Sequence, residues 1–338
     1  MTLDAAEFVI SPRGREALAF IAIHGGDALS SGTALRKSFP DVPPTFLAAA
    51  SEVYEARKRA RGKFARADRM FLTREALEQA TDARVALLRA GRFRGLGRVC
   101  DACCGIGGDA IALGGAAGEL VCVDADPARL LFCGENLRIH GINARLVQAD
   151  VRDISGGTGP FDAIFIDPSR RPGGKRTLDP RAMEPPLDVV LGILARFPRG
   201  AAKLPTSIQS SDITIPGELE WVSTEDGLKE ATLWTGDFRR AATSVTLIHR
   251  GARLCDTDLP DAEPDLGEGP FFHEPDPALI RSGFLGRKAA SLGMRLLDRA
   301  IAYTFSDTPV RDPFFTSWRV VRAFPFGMKG PERQLGRL

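Results

Sequence analysis

The chain has 338 residues, 44% of them apolar and 26% charged, and its formal net charge at pH 7 is +2. This length and apolar content allow one large domain with attachments or two domains, and the small net charge excludes a histone-like surface that binds polyanions everywhere. No basic segment precedes a long apolar run, and no run approaches about 18 apolar residues, so we expect a cytoplasmic protein without a signal peptide or a membrane span.

The N-terminal region carries Ala, Leu and Arg at helical spacing, in SPRGREALAFIAIHG, PPTFLAAASEVYEARKRARGKF and TREALEQATDARVALLRAGRF. Pro43 and Pro44 suit a first helical turn, Thr73 is a suitable N-cap, and Gly91 is placed to end the last helix. We therefore predict a helical N-terminal domain over residues 1–95.

Short β-branched and apolar runs, separated by helical segments, extend from Gly97 to about Arg253. This alternation predicts a Rossmann-like α/β domain over residues 96–253, with a parallel sheet and crossover helices on both faces. An acidic, proline-rich linker is predicted over residues 254–270, and a small α/β domain over residues 271–338. The predicted strands lie in RVCDAC, ELVCVDAD, ARLVQAD, DAIFIDPS, GAAKLP, LEWVST and SVTLIHR.

The cysteines do not have the spacing of a disulfide framework. Cys100 and Cys103 form a C-x-x-C, but no second Cys/His pair lies near them in the sequence to complete a zinc site. Most of the cysteines lie in apolar or glycine-rich strand segments, so we predict a packing role and no metal, with metal or redox chemistry as the alternative. The six are Cys100, Cys103, Cys104, Cys122, Cys133 and Cys255.

The segment VCDACCGIGGDAIAL, residues 99–113, places three glycines between strand-like and helix-like sequence. In an open parallel sheet, ligands bind beyond the carboxyl ends of the strands, and glycines in the first strand-to-helix turn let backbone N–H groups face the ligand. The run Gly105–Ala110 formally satisfies the dinucleotide fingerprint G-x-G-x-x-G/A, for which Asp124 would be the ribose acid. Taken alone, this match does not decide the class of ligand.

Asp101, at the end of the first predicted strand, distinguishes between the ligand classes. A carboxylate there repels the pyrophosphate of a dinucleotide but attracts a ligand that carries an amino group and a sulfonium, as S-adenosylmethionine does. Asp124 is suited to accept hydrogen bonds from two ribose hydroxyls. Asp150, with the backbone of Val151 beside it, is suited to the adenine amino group. Asp167 then falls at the catalytic position after the fourth strand.

Each of these acids also has a structural explanation. A single acid at a strand end is usually an N-cap or a turn residue, as we expect for Asp126 before Pro127, and Asp109 suits a first helical turn because of the helix dipole. Four successive strands that each end in an acid, with glycines on the first turn only, are hard to obtain by chance. We therefore predict a methyltransferase, with binding of another nucleotide as the alternative.

DACCGIGGDAIAL, VDADP, QADVRD and IDPSRR resemble the successive motifs of class I S-adenosylmethionine-dependent methyltransferases, over residues 97–252. With FLTREALEQAT before them and EPDPALIRSGFLGRKAASLG and IAYTFSD after them, the chain is similar to bacterial methyltransferases that have a THUMP-like C-terminal domain and are related to trimethylguanosine synthases. The resemblance implies a seven-stranded sheet with one reversed strand, S-adenosylmethionine as donor, and closure of FLTREALEQAT over the donor.

The closing segment implies three further cofactor contacts, at Phe71, Thr73 and Gln79; the alternatives are an apolar staple, an N-cap and an exposed helical amide. The remaining predicted contacts lie on the strand ends and the glycine turn. Together the predicted cofactor-binding residues are Asp101, Ala102, Cys103, Gly105, Gly107, Gly108, Asp109, Asp124, Ala125, Asp150, Val151, Asp167, Phe71, Thr73 and Gln79.

The predicted catalytic residues are Asp167, Pro168, Ser169 and Arg170. Enzymes that methylate amino groups of nucleic acids often have an acid or Asn, two prolines and an aromatic at this position, and the aromatic ring stacks on the target base. That ring is missing here, so Arg170 or Arg171 would stack through its guanidinium or hold a phosphate or carboxylate. The similar D-P-x-R of uridine C5 methyltransferases requires a later cysteine, which GAAKLPTSIQS lacks, so we predict direct transfer without a covalent intermediate.

Basic residues cluster in ARKRARGKFARADRM and in SRRPGGKR, which directly follows the catalytic position. Such runs are usually solvated faces, but these two bracket the predicted cleft in chain order. We therefore predict structured RNA as the partner, with Arg170, Arg171, Lys175 and Lys203 as substrate-binding residues; Lys203 is alternatively a surface lysine at a strand end. Methylation of a protein or small molecule, and a cofactor-binding module that has lost catalysis, are the alternative functions.

Overall fold

The structure, a computed structural model, describes residues 1–24, 28–154, 160–169 and 179–322, without the side chains of residues 28–31. Its N-terminal region is helical, as the spacing of apolar residues predicts. The helices are α1 (Leu3–Ile10), α2 (Pro12–His24), α3 (Ala28–Ser38), α4 (Pro44–Ala60), α5 (Arg74–Gln79) and α6 (Ala83–Ala90).

After α6, nine strands of the described residues form one sheet in the order β3-β2-β1-β4-β5-β7-β6-β8-β9. β3, β2, β1, β4 and β5 are parallel, whereas β7 runs antiparallel to β5 and β9 antiparallel to β8. The elements are β1 (Arg98–Ala102), α7 (Gly108–Gly114), β2 (Glu119–Asp124), α8 (Pro127–Ile139), β3 (Ala144–Gln148), β4 (Ala163–Ile166), α9 (Leu187–Leu194), β5 (Arg199–Leu204), β6 (Gly217–Thr224), β7 (Gly227–Gly236), β8 (Thr243–Leu247) and β9 (Ala252–Cys255).

The expected count of seven strands is wrong, because the described part of the chain forms a sheet of nine. All seven predicted segments contain strands, and the sequence reasoning missed β7 and β9. β7 follows β6 after two residues instead of a crossover helix, and the charged pair Lys229 and Glu230 interrupts the apolar pattern of its sequence, GLKEATLWTG. Glu230 is nevertheless 2% exposed. A strand is recognised in a sequence by alternation of apolar, buried residues with polar, exposed ones, and a buried charged residue breaks this pattern.

Short-range signals set the helix ends where they were expected. Pro44 begins α4, and the Thr73 hydroxyl accepts a hydrogen bond from the Ala76 N–H (3.1 Å), so both predictions are confirmed. Asp126 is confirmed as the N-cap of α8, since its Oδ1 accepts from the Ala128 N–H (2.8 Å). Gly91 is the C-cap of α6.

Asn136, a fully buried residue of α8, holds the segment before α5 against the turn that follows β1. Its Oδ1 accepts from the Phe71 N–H (2.7 Å), and its Nδ2 donates to the Phe71 carbonyl (3.0 Å) and the Ile106 carbonyl (2.9 Å). A buried amide with all of these partners fixes both segments, because each lost hydrogen bond would leave a buried polar group unpaired.

The C-terminal α/β region has a second sheet in the antiparallel order β11-β12-β10-β13. Two short helices accompany it, so the described part of this region contains both helices and strands. The elements are β10 (Phe271–Pro275), α10 (Pro277–Arg281), α11 (Leu285–Ser291), β11 (Arg295–Asp298), β12 (Ile301–Ser306) and β13 (Phe315–Arg319). Their arrangement does not show the expected THUMP-like relationship.

The chain divides into two compact units, and the limits differ from the predicted domain boundaries. The first contains Met1–Leu219 and Glu230–Arg240, and the second contains Glu220–Lys229 and the described part of Ala241–Leu338. The N-terminal helices therefore share a unit with the parallel strands, because α1 packs on α8 as well as on α2 and α4. Among the described helices, none combines the length and the apolar character needed to cross a bilayer.

Candidate active site

A cavity of about 380 Å³ lies in the first unit, at the carboxyl ends of β1, β2, β4 and β5. This is the edge at which open parallel sheets bind ligands. The structure therefore brings together most of the residues that the sequence singles out. The predicted site residues that line the cavity are Gln79, Asp101, Cys103, Gly105, Gly108, Asp109, Asp124, Ala125, Asp150, Val151, Asp167, Pro168, Ser169 and Lys203.

The turn after β1 carries the backbone along the wall of the cavity. Gly105 (φ 56°) and Gly107 (φ 86°) adopt the left-handed conformation that favours glycine, and Cys103 adopts it as well (φ 61°). Gly107 does not itself line the cavity, but a Cβ at this position would lie 3.0 Å from the Cys133 sulfur. The glycines are thus required by the turn and by close packing on α8.

Asp101 is the penultimate residue of β1, and its side chain is fully buried beside the cavity. Neither of its carboxyl oxygens has a hydrogen-bond partner within the part of the chain that the structure describes. Burial, reinforced by the neighbouring Cys122, Asp109 and Asp167, raises the pKa of Asp101 well above its ordinary value. Buried polar groups are nearly always paired, so a bound amino group or cation would complete this site.

We predict that Asp101→Asn stabilises the free protein at neutral pH. The unfolded chain ionises Asp101 near its ordinary pKa, about 3.9, whereas burial in the folded chain raises this pKa and opposes ionisation. Rising pH therefore favours the unfolded wild-type chain, and the variant lacks this penalty. Urea unfolding should show nearly equal stabilities at about pH 4 and a growing advantage for the variant towards pH 7. The same difference at both pH values would contradict the prediction.

Asp124 ends β2 and Asp150 follows β3. The Asp124 Oδ2 accepts from the Gly105 N–H (2.8 Å) and its Oδ1 from the Asp126 N–H (2.9 Å); burial raises its pKa, and these hydrogen bonds oppose the shift. A carboxylate can accept about four hydrogen bonds, so both oxygens can still accept from ligand hydroxyls. The Asp150 carboxylate accepts from the Arg152 N–H (2.8 Å) and Nη1 (2.7 Å), so it also caps the short helix that follows.

Asp167 and Lys203 form an ion pair at the ends of β4 and β5. The Lys203 Nζ donates to the Asp167 Oδ2 (2.9 Å) and to the Thr81 Oγ1 (2.9 Å). Lys203 is only 6% exposed, so its interpretation as a surface lysine is wrong. Burial raises the pKa of Asp167, and Lys203 opposes the shift. Ala102 lies outside the cavity lining, and its carbonyl instead accepts from the Asp167 N–H (3.1 Å).

A buried network that the sequence reasoning missed supports this ion pair. The Asp109 Oδ2 accepts from the Thr81 hydroxyl (2.7 Å), and Asp109 also pairs with Arg89, which pairs in turn with Glu230 on β7. Arg89, Asp109 and Glu230 are each no more than 6% exposed. The available signal was an arginine at an apolar position of VALLRAGRF, but its partner lies 141 residues further along the chain.

The segment that was expected to close over the cofactor contributes Gln79 to the cavity, but neither Phe71 nor Thr73. Phe71 is fully buried and its ring centroid lies 5.7 Å from that of Phe132, while the Thr73 side chain caps α5. The prediction that Phe71 and Thr73 contact the cofactor is therefore not supported by this geometry. The physical reason is that the Phe71 ring is buried in the core and the Thr73 hydroxyl caps a helix, so neither side chain faces the cavity.

Part of the first basic cluster is structural. The Arg57 Nε donates to the Met70 carbonyl (2.7 Å), the Lys63 Nζ donates to the Leu77 carbonyl (2.8 Å), and burial lowers the pKa of Arg57 to about 10. These side chains therefore anchor loop backbone instead of forming a solvated face. Other members of the cluster are exposed. Of the predicted substrate-binding residues, Arg170, Arg171 and Lys175 lie outside the described residues.

Comparisons with known proteins find a matching family model, relatives in sequence and a similar solved structure. Residues 99–169 match a protein family described as a methyltransferase domain. Two uncharacterized S-adenosylmethionine-dependent methyltransferases from strains of Mycobacterium tuberculosis are each 32% identical over 296 residues, with coverage of 81% of this chain and 76% of the relative. A candidate methyltransferase of known structure from Porphyromonas gingivalis W83 has the same fold, with a TM-score of 0.70 and 18% identity over 96% of this chain and 86% of that one.

Proposed function

The chain belongs to the S-adenosylmethionine-dependent methyltransferases, and from this premise we propose that it methylates a base of structured RNA by direct in-line transfer. S-adenosylmethionine is its methyl donor. The observation that carries the proposed chemistry is the cavity at one edge of the sheet, where Asp101 has no hydrogen-bond partner among the described residues and Asp167 is paired with Lys203.

The described residues fit the donor. Asp101 would accept from its amino group, Asp124 from its ribose hydroxyls, and Asp150 from its adenine amino group. The donor supplies a methyl group on a positively charged sulfur. The chain itself therefore has to bind the donor and the acceptor, orient them towards each other, and exclude water from the site. The two unpaired oxygens of Asp101 are the strongest sign of this fit, because they are buried beside the cavity without a partner among the described residues.

Asp167 would hold the acceptor. Lys203 fixes its Oδ2, which leaves the second oxygen of Asp167 to accept a hydrogen bond from an amino group of a base. Fixing the nucleophile in line with the methyl group removes part of the entropic barrier to transfer. The raised pKa of Asp167 also favours its taking up the proton that the methylated amine loses.

Basic side chains support RNA as the acceptor. Exposed members of the first cluster lie in the helical region of the same compact unit as the cavity, and SRRPGGKR begins two residues after Asp167 in the sequence. Lysine and arginine side chains that neutralise phosphates give sequence-independent affinity that falls as salt rises. The exposed residues are Lys58, Arg59, Arg61, Arg66 and Arg69.

For donor binding, we predict that Asp124→Ala weakens the affinity by about tenfold or more, since hydrogen bonds to a charged acceptor contribute about 1.5–3 kcal/mol. Titration calorimetry of the purified chain with S-adenosylmethionine measures the change. Asp162→Asn is a suitable control, because Asp162 lies outside the cavity. Equal affinities for Asp124→Ala and the wild type would remove the ribose assignment.

The acceptor can be tested with donor labelled in its methyl group and three separate fractions of a bacterial extract: RNA, protein and small molecules. We expect label in RNA, and less of it as the salt concentration rises. A charge-neutralised variant, Arg59→Gln with Arg61→Gln, should depend less on salt. Label only in protein or in small molecules would overturn RNA as the substrate, and no label in any fraction would indicate a binding module.

A further inference from the structure

Three cysteines that are remote in sequence form a buried thiol cluster, defined here as Cys104, Cys122 and Cys133. Their sulfur atoms all lie within 4.8 Å of one another. Cys104 lies in the turn after β1, Cys122 on β2 and Cys133 on α8. Their exposures are 7%, 0% and 0%, so the cluster is enclosed except for the side on which Cys104 borders the cavity.

The cluster does not use the C-x-x-C motif of the sequence. Cys100 and Cys103 belong to neither the cluster nor any other metal-compatible group among the described residues. The cluster members are separated by 18 and 11 residues, a spacing without a local metal signature. Only the parallel pairing of β1 with β2 and the packing of α8 on the sheet bring the three sulfurs together.

The ligand set and its surroundings restrict which ion this cluster can take. Three sulfurs are soft ligands and favour thiophilic ions over oxygen-seeking ones such as magnesium. Structural zinc sites are almost always four-coordinate, and no histidine, carboxylate or fourth cysteine joins the cluster among the described residues. A three-coordinate thiophilic ion therefore fits better than zinc.

The net charge of the complex between the three thiolates and the ion restricts which ion can bind. Three thiolates around a divalent ion leave a charge of −1, and around a monovalent ion −2, in an enclosed site. Asp101 pairs in register with Cys122, and Asp124 is two residues from it, so an additional negative charge would be unfavourable there. A trivalent ion gives a neutral complex, which can be buried without this cost.

We propose that the thiol cluster is a binding site for a trivalent thiophilic metalloid, for which arsenite is the probe. Three S–As bonds form and three As–O bonds of As(OH)₃ break, while the three thiol protons leave with the hydroxides as three water molecules. No electron is transferred, so no oxidant or reductant is needed. Cys104 gives the route of entry, because it lines the cavity.

The experiment uses the reduced, full-length protein, incubated with arsenite and freed of excess reagent. We expect one arsenic per chain by elemental analysis, and an intact-mass increase of one arsenic atom minus three hydrogens. Cys104→Ala, Cys122→Ala and Cys133→Ala should each weaken binding by about tenfold or more. Circular dichroism and thermal unfolding establish whether each variant is folded. Where an alanine variant is not folded, the serine variant at the same position is used instead.

Matched controls separate the cluster from the other thiols. Cys100 is buried like the cluster cysteines, and Cys255 is partly exposed. The Cys100→Ala and Cys255→Ala variants should both bind arsenite like the wild type. Cys103→Ala tests whether the adjacent pair Cys103–Cys104 captures the arsenic alone. The proposal is overturned by no stoichiometric binding, by loss of binding in Cys103→Ala, by full binding in Cys133→Ala, or by displacement of arsenite by equimolar zinc. None of these readouts depends on methyltransferase activity.

Discussion

Replacing Arg89 by methionine is expected to lower the free energy of unfolding by about 3–5 kcal/mol, because removing one partner of a buried ion pair leaves its counter-charge unpaired. Here two carboxylates, those of Asp109 and Glu230, lose the cation between them. Their charge raises the pKa of Arg89 even though burial lowers it. Methionine retains the apolar contact with Phe165, over whose ring the guanidinium lies at 4.5 Å, so lost packing contributes little.

Urea unfolding followed by tryptophan fluorescence measures this change, with Arg138→Met as the control. Arg138 pairs with Glu135 on the surface of α8 and is 63% exposed, so its loss should not change the unfolding midpoint measurably. Adding Glu230→Gln to Arg89→Met should recover part of the stability, because it removes one of the two stranded charges. If the two losses simply add, the buried charges do not interact as described.

Replacing Asp167 by alanine is expected to lower kcat for methyl transfer by about 100-fold, the usual cost of a misplaced reacting group, while the donor affinity changes little. The carboxylate holds the acceptor in the proposed mechanism, and its removal also leaves Lys203 bonded only to Thr81 among the partners described above. Single-turnover transfer to the labelled acceptor measures the chemical step, and calorimetry measures the donor affinity separately.

Asp188→Asn is the matched control for Asp167→Ala. Asp188 is an exposed acid in the first turn of α9 and does not line the cavity, so its kcat should equal that of the wild type. An Asp167→Ala enzyme with unchanged kcat would remove Asp167 from the mechanism. A variant that loses donor affinity instead of kcat would indicate that Asp167 contacts the donor and not the acceptor.

Asp101 and Arg89 show opposite relations between stability and function. Arg89 is fully buried and pairs with two carboxylates, those of Asp109 and Glu230, so its loss would destabilise the fold. Asp109 in turn accepts from Thr81, which accepts from Lys203 at the cavity. Asp101 is equally buried without a partner among the described residues, which costs stability in the free protein. A residue kept at such a cost is expected to gain its partner when the ligand binds.

Local sequence patterns predicted the helices before Gly91, the seven segments that became strands, and the glycine turn at Gly105. They also placed Asp101 and Asp124 at the cavity, because the carboxyl ends of parallel strands lie at one edge whatever the details of packing. β7 was missed because its charged residue Glu230 is buried, which reverses the rule that charged positions face water. The geometry does not support Phe71 as a cofactor contact, and an apolar residue beside a motif cannot be told from a core residue by sequence.

Residues close together in the chain were enough to predict the edge of the sheet that bears the cavity, because strand ends, glycine turns and helix caps depend on local sequence. The pairings between remote residues depend instead on how the strands and helices pack. Arg89 with Glu230, Lys203 with Asp167, and the three sulfurs of the thiol cluster meet because the sheet order places their strands and helices side by side. Contacts of this kind are set by the packing of whole elements, and no local pattern of residues encodes them.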